Sequence, residues 1–138
     1  MSTYNKKSIT QAHANRLIQR ACEKATELGM GIAVTIVDES GVLKSFSRMD
    51  GAALIAIDAS RKKAVTAVGF GMPTGAPWHD FIKDDPILAN GVQSLDQFTL
   101  LGGGFPVQID GEVVGAIGVS GGHYSQDEAC ARAALETV

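Results

Sequence analysis

An Asp-Gly dipeptide between two apolar segments is the feature that most constrains how this chain can fold. Asp110-Gly111 lies between residues 106–109 and 112–119, which are rich in valine and isoleucine. Asp-Gly is favoured in two-residue turns between antiparallel strands, because such turns need residues that tolerate a positive φ. The sequence therefore predicts a β-hairpin over residues 106–119, and the remaining elements must cover it.

Three segments have the apolar spacing of amphipathic helices, at residues 8–28, 53–68 and 125–138. The first and last open on a capping-box pattern, Ser8 with Gln11 and Ser125 with Glu128. The stripe of the middle helix is expected to pack on a sheet. It contains Leu54, Ile57, Ala64, Val65 and Val68.

Further strands are predicted at residues 32–37 and 42–47, which form a second hairpin, and at residues 98–101, before three consecutive glycines. Residues 72–97 form a long irregular connection with short helical turns. The order is helix, two strands, helix, long loop, three strands and helix. It predicts a single α/β (α+β) domain over residues 1–138, with an antiparallel sheet of about five strands covered by helices.

Charge and hydropathy narrow the expected partners. The net charge is −3, and no basic cluster is longer than Arg61-Lys62-Lys63, so a nucleic-acid partner is not expected. No apolar run approaches the roughly 20 residues that span a bilayer, so no membrane partner is expected either. Residues 1–10 are polar and lack the apolar core of a signal peptide, which predicts a cytoplasmic location.

Several motifs together resemble the GlcG/HbpS family, which also supplies the C-terminal domain of some corrinoid adenosyltransferases. The match extends from the first helix to the last. The motifs are Val37-Asp38 with Gly41, Arg48-Met49-Asp50-Gly51-Ala52, Lys63-Ala64 with Thr66-Ala67, Gly102-Gly103-Gly104-Phe105-Pro106-Val107, and residues 115–122.

The resemblance implies a profilin-like α/β/α sandwich with a five-stranded antiparallel sheet. It also implies homo-oligomers, from dimers to octamers, and haem binding in several members. It does not imply one agreed reaction, because many members stand beside enzymes of small-molecule catabolism without an established activity of their own.

The triple glycine Gly102-Gly103-Gly104 is a candidate ligand-binding segment. Consecutive glycines can present backbone N–H groups as an anion-binding concavity, which suits a carboxylate or a haem propionate. The alternative is that they only permit a sharp bend before the next strand. No Walker lysine follows them, so they do not form a phosphate loop.

Arg48 and Asp50 are candidate catalytic residues, because both side chains leave the end of a strand towards one side. They either hold a polar ligand or pair with each other. Arg61 falls within the apolar stripe of the second helix and needs an anionic ligand or an acidic partner, for which Asp58 and Asp50 are available. Lys63 is a further ligand-binding candidate, expected to point elsewhere on the helix and to reach a subunit interface.

The three histidines His13, His79 and His123 are candidate haem-iron ligands. His123 follows two glycines at a strand end and is the most favoured of the three. None has the H-x-x-x-H or H-E-x-x-H spacing of a zinc site, and no C-x-x-C-H motif is present, so any haem would be bound non-covalently.

Two classes of function and a third, non-catalytic role follow from these candidates. The first is a small-ligand-binding protein for haem or a related tetrapyrrole. The second is an isomerase, tautomerase or hydrolase acting on a small carboxylated or carbonyl metabolite. In it Arg48 and the amides of Gly102–Gly104 would anchor an oxyanion, with Asp50 or His123 as general base. The third is an accessory subunit of a catabolic enzyme, without chemistry of its own.

Overall fold

The computed structural model describes residues 1–136 of the chain. Five α-helices and four β-strands follow one another in these residues. They are α1 (Gln11–Glu27), β1 (Ala33–Asp38), β2 (Leu43–Arg48), α2 (Ile55–Phe70), α3 (Ala76–Ile82), α4 (Pro86–Gly91), a 3-10 turn (Val92–Ser94), β3 (Gly104–Ile109), β4 (Glu112–Ser120) and α5 (Tyr124–Glu136).

The strands form one antiparallel sheet in the order β2-β1-β4-β3. The hairpin predicted at Asp110-Gly111 joins β3 to β4, and both turn residues have the positive φ that such a turn requires, 52° and 80°. The hairpin between β1 and β2 is also confirmed. The α+β class is therefore confirmed, but five strands were predicted, and the described residues contain four.

The predicted strand at residues 98–101 was wrong, and a side chain explains why. The Thr99 N–H donates to Thr66 Oγ1 at 3.0 Å, and Thr66 Oγ1 donates in turn to the Gln97 carbonyl at 3.0 Å. A hydroxyl on α2 thus satisfies backbone groups that a neighbouring strand would otherwise pair. The segment consequently crosses the surface of α2 as irregular chain.

Helices cover both faces of the sheet. Val34 and Ile36 of β1, together with Ile32 immediately before the strand, are fully buried in a core shared with α1 and α5. Val37 faces the other way and packs with Ala64 and Ala67 of α2. Each large aliphatic side chain buried in this way contributes about 1.5–3 kcal/mol.

Helix α2 lies unusually close to the sheet. A Cβ added at Gly118 would overlap the Ser60 carbonyl oxygen, and one at Gly104 would overlap the Lys63 carbonyl oxygen. Only small side chains fit at such a distance, and the buried face of α2 is accordingly built on Ala56, Ser60, Ala64 and Ala67. The predicted stripe was therefore wrong in part, because Leu54 and Ile57 are exposed.

The helix caps lie two residues away from the predicted ones. Thr10 Oγ1 accepts the His13 N–H at 3.1 Å and caps α1 in place of Ser8. At α5, His123 Nδ1 accepts the Ser125 N–H at 3.2 Å while Gln126 Oε1 accepts the His123 N–H at 3.1 Å. The arrangement resembles a capping box in which His123 is the N-cap residue and Gln126 reaches back to its N–H. The side chains of Ser125 and Glu128 do not take the two roles that were predicted for them.

Residues 72–98 pack on the end of α2 through a small aromatic cluster. The Trp78 ring packs edge-on against Phe70, Phe81 and Phe98, with centroid distances of 4.7, 5.7 and 5.4 Å. The predicted helical turns of this connection are confirmed as α3 and α4. None of the helices within residues 1–136 is long and apolar enough to cross a membrane.

Candidate functional site

An open cleft lies at the end of the sheet where β4 finishes, and we call it the glycine cleft. Its volume is about 340 Å³, within the range typical of small-molecule sites. Its lining is mostly apolar. It consists of Gly75, Ala76, His79, Leu100, Leu101, Gly102 and Tyr124.

The glycines bring two chain segments, residues 74–75 and 102–104, into close contact at this cleft. The Gly104 N–H donates to Thr74 Oγ1 at 2.9 Å, and the Thr74 N–H donates to the Gly104 carbonyl at 3.0 Å. A Cβ at Gly75 would lie 3.0 Å from the Gly102 Cα. Larger residues would push α3 and the glycine segment apart, so these positions shape the cleft.

The structure favours the packing interpretation of Gly102–Gly104 over an anion-binding concavity. The Gly104 N–H already has Thr74 as its partner. The Glu128 carboxylate lies against Gly102, where a Cβ would overlap Oε1. A second anion placed against Gly102 would meet this negative charge.

A buried ion pair lies directly beneath the glycine segment. Lys63 Nζ is 2.9 Å from Asp127 Oδ2 and donates to the Val119 carbonyl at 2.8 Å, and both side chains are 2% exposed. Burial lowers the pKa of Lys63, while Asp127 and Glu128 act in the opposite direction. The expectation that Lys63 reaches a subunit interface was therefore wrong, since its amine is enclosed within the chain.

His79 stands on the wall of the glycine cleft with an exposed ring. Its Nδ1 is 3.9 Å from Asp80 Oδ1, and within residues 1–136 the ring forms no hydrogen bond. Because the ring is exposed and has no hydrogen-bond partner in the described residues, Nε2 is sterically available as a ligand.

His123 adjoins the cleft through its neighbour Tyr124, and the two rings are 4.1 Å apart. Its Nδ1 accepts the Ser125 N–H as the cap of α5 and lies 2.8 Å from Ser125 Oγ. In the neutral ring an accepting Nδ1 leaves the proton on Nε2. This geometry disfavours the exposed nitrogen both as an iron ligand and as a general base.

His13 belongs to a different cavity, a groove of about 440 Å³ lined by His13, Leu135 and residues 106–109 of β3. Its side chain is 9% exposed, and within the described part of the chain Nε2 has no hydrogen-bond partner. Burial, and secondly the charge of Arg16, lower the pKa of His13. The imidazole is therefore neutral at physiological pH.

Arg48 and Asp50 are exposed at the end of the edge strand β2, and no ion pair between described residues joins them. Arg48 pairs with Ala33 of β1, and Ala33 pairs with Ser120 of β4. Three strand spacings, about 14 Å, thus separate Arg48 from the glycine segment beside β3. The structure does not bring Arg48 together with the Gly102–Gly104 amides.

Arg61 has an acidic partner, as one of the two interpretations predicted. Its guanidinium donates to Asp58 Oδ1 at 2.8 Å and also contacts Gln97 Oε1. The Arg61 side chain is 41% exposed, so its expected place inside the buried stripe was wrong. Arg61 ties α2 to the long connection and lies apart from the cleft lining.

Asp127, Glu128 and Tyr124 were missed as site residues. Asp127 is buried in the first turn of α5, inside the helix predicted over residues 125–138, but an acidic residue near a helix N-terminus is usually exposed and gave no sign of a buried partner. Lys63 shares a helical face with Ser60 and Ala67. The small residues of that face could have indicated that Lys63 is buried. No group of three metal-ligating side chains is present in residues 1–136.

The fold and the cleft define a small α+β domain with an open apolar site at one end of its sheet. The family model described as "Haem degrading protein HbpS-like" matches residues 9–136. The chain belongs to this family, and the resemblance stated from its motifs is confirmed.

Individual relatives agree with this assignment. Protein GlcG of Escherichia coli K12 is 32% identical over 112 residues, which are 81% of this chain and 81% of GlcG. The crystal structure of Klebsiella pneumoniae protein ORFY aligns with a TM-score of 0.91 at 30% identity, over 99% of this chain and 94% of ORFY. The crystal structure of a PduOC:heme complex aligns with a TM-score of 0.80 at 28% identity, over 95% of each chain.

Proposed function

We propose that this protein binds haem, or a related planar tetrapyrrole, non-covalently in the glycine cleft with His79 as the nitrogen ligand. The observation that carries the proposal is an imidazole with an available Nε2 on the wall of an open apolar cleft. A relative of similar fold forms a heme complex, and the family description names haem degradation.

The residues of the cleft fit such a ligand. Leu100, Leu101 and Ala76 offer apolar surface to a macrocycle, and the Tyr124 ring offers a flat face. Bound haem would supply an iron centre that takes a nitrogen ligand, and His79 would be the residue that holds it. Asp80 is the nearest carboxylate to the His79 ring, 3.9 Å from Nδ1, and adds a negative charge beside it.

The other two histidines fit less well. His123 Nδ1 is engaged in capping α5, which keeps the proton on the outer nitrogen. His13 has an orphaned Nε2, but its side chain is nine-tenths buried and must turn outward to meet a ligand in its groove. The proposal therefore ranks His79 first and His13 second.

The first experiment is an absorbance titration of the apo-protein with haemin, on wild type and on single histidine variants. We expect a saturable Soret shift that His79→Ala abolishes and that His13→Ala and His123→Asn retain. Asparagine is chosen at 123 because it can still cap a helix. A shift lost only in His13→Ala would move the site to the second groove, and no saturable shift in wild type would refute haem binding.

A cleft-filling pair of variants tests the location independently of the ligand atom. Ala76 lines the cleft on α3, whereas Ala53 is exposed near the end of β2. Ala76→Phe is expected to block haemin, and Ala53→Phe adds the same ring away from the cleft as the matched control. Equal binding by the two variants would place haemin elsewhere.

Self-association is proposed on separate grounds. Large apolar side chains are exposed along the edge strand β2 and at the start of α2, which is where a second copy could cover them. The residues are Leu43, Phe46, Leu54 and Ile55. Sedimentation at micromolar concentration should show at least a dimer, and a monomer under those conditions would contradict the proposal.

A further inference from the structure

The Lys63–Asp127 pair connects three elements at the floor of the glycine cleft. Lys63 comes from α2 and Asp127 from α5, and the Lys63 ammonium also holds the carbonyl of Val119 near the end of β4. Both contacts of the Lys63 ammonium are buried hydrogen bonds, and their lengths of 2.8 and 2.9 Å are typical of charge-assisted ones. The pair therefore fixes where α5 lies relative to α2 and to the sheet.

One wall of the cleft depends on Asp127 through the backbone. The second carboxylate oxygen, Oδ1, accepts the Gly122 N–H at 3.0 Å. Gly122 is followed by His123 and by Tyr124, whose ring lines the cleft. Asp127 thus determines where the first turn of α5 begins and where the Tyr124 ring stands.

The opposite wall rests on the same two side chains. A Cβ at Gly103 would lie 3.1 Å from Lys63 Nζ and 3.1 Å from Asp127 Cβ, so the backbone of Gly103 packs directly on the pair. Gly102, the next residue back, lines the cleft. The distance between the Gly102 wall and the Tyr124 wall is therefore set by Lys63 and Asp127.

Stability alone gives little reason for such a pair. Desolvating two charges is costly, and apolar residues of similar volume are often as stable in the same place. Apolar packing, however, supplies no acceptor for the Gly122 N–H and no donor for the Val119 carbonyl. The ion pair adds directional hydrogen bonds to the backbone. Lys63 holds the Val119 carbonyl, and Asp127 holds the Gly122 N–H.

We infer that Lys63 and Asp127 are the positioning residues of the glycine cleft, a role that rests on the proposed function of that cleft as a ligand site. They do not touch the ligand. They hold the Gly102 and Tyr124 walls at the separation that a flat ligand needs, and the cleft loosens when the pair is removed.

The test compares Lys63→Met with a control that is destabilised elsewhere. Ile9 is buried against Gly115, five residues along β4 from the cleft end of that strand at Ser120 and hence roughly 17 Å away. Ile9→Ala is used if its urea midpoint matches that of Lys63→Met, and Ile9→Val if a smaller change is required. The two readouts are amide hydrogen exchange by NMR and haemin affinity.

In Lys63→Met, exchange should accelerate about tenfold or more at the Gly122 N–H, which Asp127 accepts, and at the Val119 N–H, which the Gly103 carbonyl accepts. The factor is relative to the amides of β1, because the opening is local. In the matched Ile9 variant all of these amides should accelerate by a similar factor. Haemin affinity should fall roughly 10- to 100-fold in Lys63→Met, the range for outer-shell partners of a metal site, and stay near wild type in the control.

A double variant keeps the inference falsifiable if Lys63→Met does not fold. Lys63→Met with Asp127→Leu removes both charges and leaves neither buried alone. It should fold and still show fast exchange at Gly122 with weakened haemin binding. Wild-type exchange at Gly122 and Val119, or wild-type haemin affinity in a folded double variant, would overturn the inference.

The two proposals fail in different ways. If wild type binds no haemin, the proposed function is refuted, and the exchange measurements alone decide whether the pair positions the cleft walls. If wild type binds haemin and the double variant binds it equally well, the positioning role is refuted and the proposed function stands.

Discussion

Lys63 and Arg61 are two residues apart on α2, but they differ in burial and in the kind of ion pair that they form. Lys63 is 2% exposed and paired with Asp127 from another helix, whereas Arg61 is 41% exposed and paired with Asp58 one turn away. Hydrophobic periodicity predicted the reverse, with Arg61 inside the buried stripe. The comparison shows that hydrophobic periodicity does not identify the buried face of this helix, which consists of small residues, Thr66 and one lysine with a buried acidic partner.

The physical cause is the close approach of α2 to the sheet at Gly104 and Gly118. A helix that packs on glycine buries alanine and serine, and the two isoleucines of α2 and its N-cap residue Leu54 are exposed. Lys63 fits because its amine extends past the sheet to Asp127 and the Val119 carbonyl.

Replacing Lys63 with methionine should have the largest effect. The change leaves the Asp127 carboxylate buried without its counter-charge, which costs about 3–5 kcal/mol. Urea unfolding of Lys63→Met and Arg61→Met measures the contrast, because both variants lose one positive charge. Similar losses from the two positions would contradict the burial assigned to Lys63.

Gly118→Ala should have the next largest effect. The new methyl group would overlap the Ser60 carbonyl and force α2 away from the sheet, at a cost of about 1–3 kcal/mol. Gly69→Ala is the control, because a Cβ there meets nothing within 4 Å and the site is helical. Thermal unfolding that ranks Gly118→Ala as no less stable than this control would argue against close packing of α2.

Arg61→Ala should cost less than about 1 kcal/mol, as is usual for a half-exposed ion pair. The loss should also shrink as salt is added, since solvent ions screen exposed charges. Urea midpoints at low and high ionic strength measure both effects. A loss that salt leaves unchanged would indicate that Arg61 is buried after all.

The smallest effect is a pH dependence at Asp58. Hydrogen bonds from Arg61 and then Lys62 lower the pKa of Asp58, so the folded state holds the carboxylate more strongly than the unfolded chain does. The resulting stabilisation is present above the unfolded pKa of about 3.9 and is lost as the pH falls through the lower folded value.

The stability difference between wild type and Asp58→Asn should therefore be constant from about pH 5 upward and should vanish in stronger acid. Since the pair is half-exposed, the difference should stay below about 1 kcal/mol. Urea titrations of both proteins at several pH values check this. A difference that grows in acid would reverse the assigned sign.

Local patterns predicted most of the elements because their signals are local. Asp110-Gly111 needs only its own positive φ values to form a hairpin, and β1 needs only its run of β-branched residues. The strand predicted at 98–101 failed because Thr66, more than thirty residues away, supplies the partner of the Thr99 N–H. The short sequence windows in which strand patterns are recognised do not contain both residues.

Some residues of the candidate site were predicted and others were not, for the same reason. His79 and Gly102 were chosen by residue type, and both line the cleft. Asp127 and its link to Lys63 span 64 positions and depend on how two helices dock. The role of His123 depends on which nitrogen accepts the Ser125 N–H, and that follows only from coordinates.

The aromatic cluster on α2 has an optical consequence. Trp78 is the single tryptophan of the chain, is buried among Phe70, Phe81 and Phe98, and immediately precedes His79. Its fluorescence therefore reports on one place, beside the cleft and outside the sheet. An iron porphyrin bound at His79 would quench this emission by energy transfer, whereas a ligand in the groove of His13 would have to do so from across the molecule.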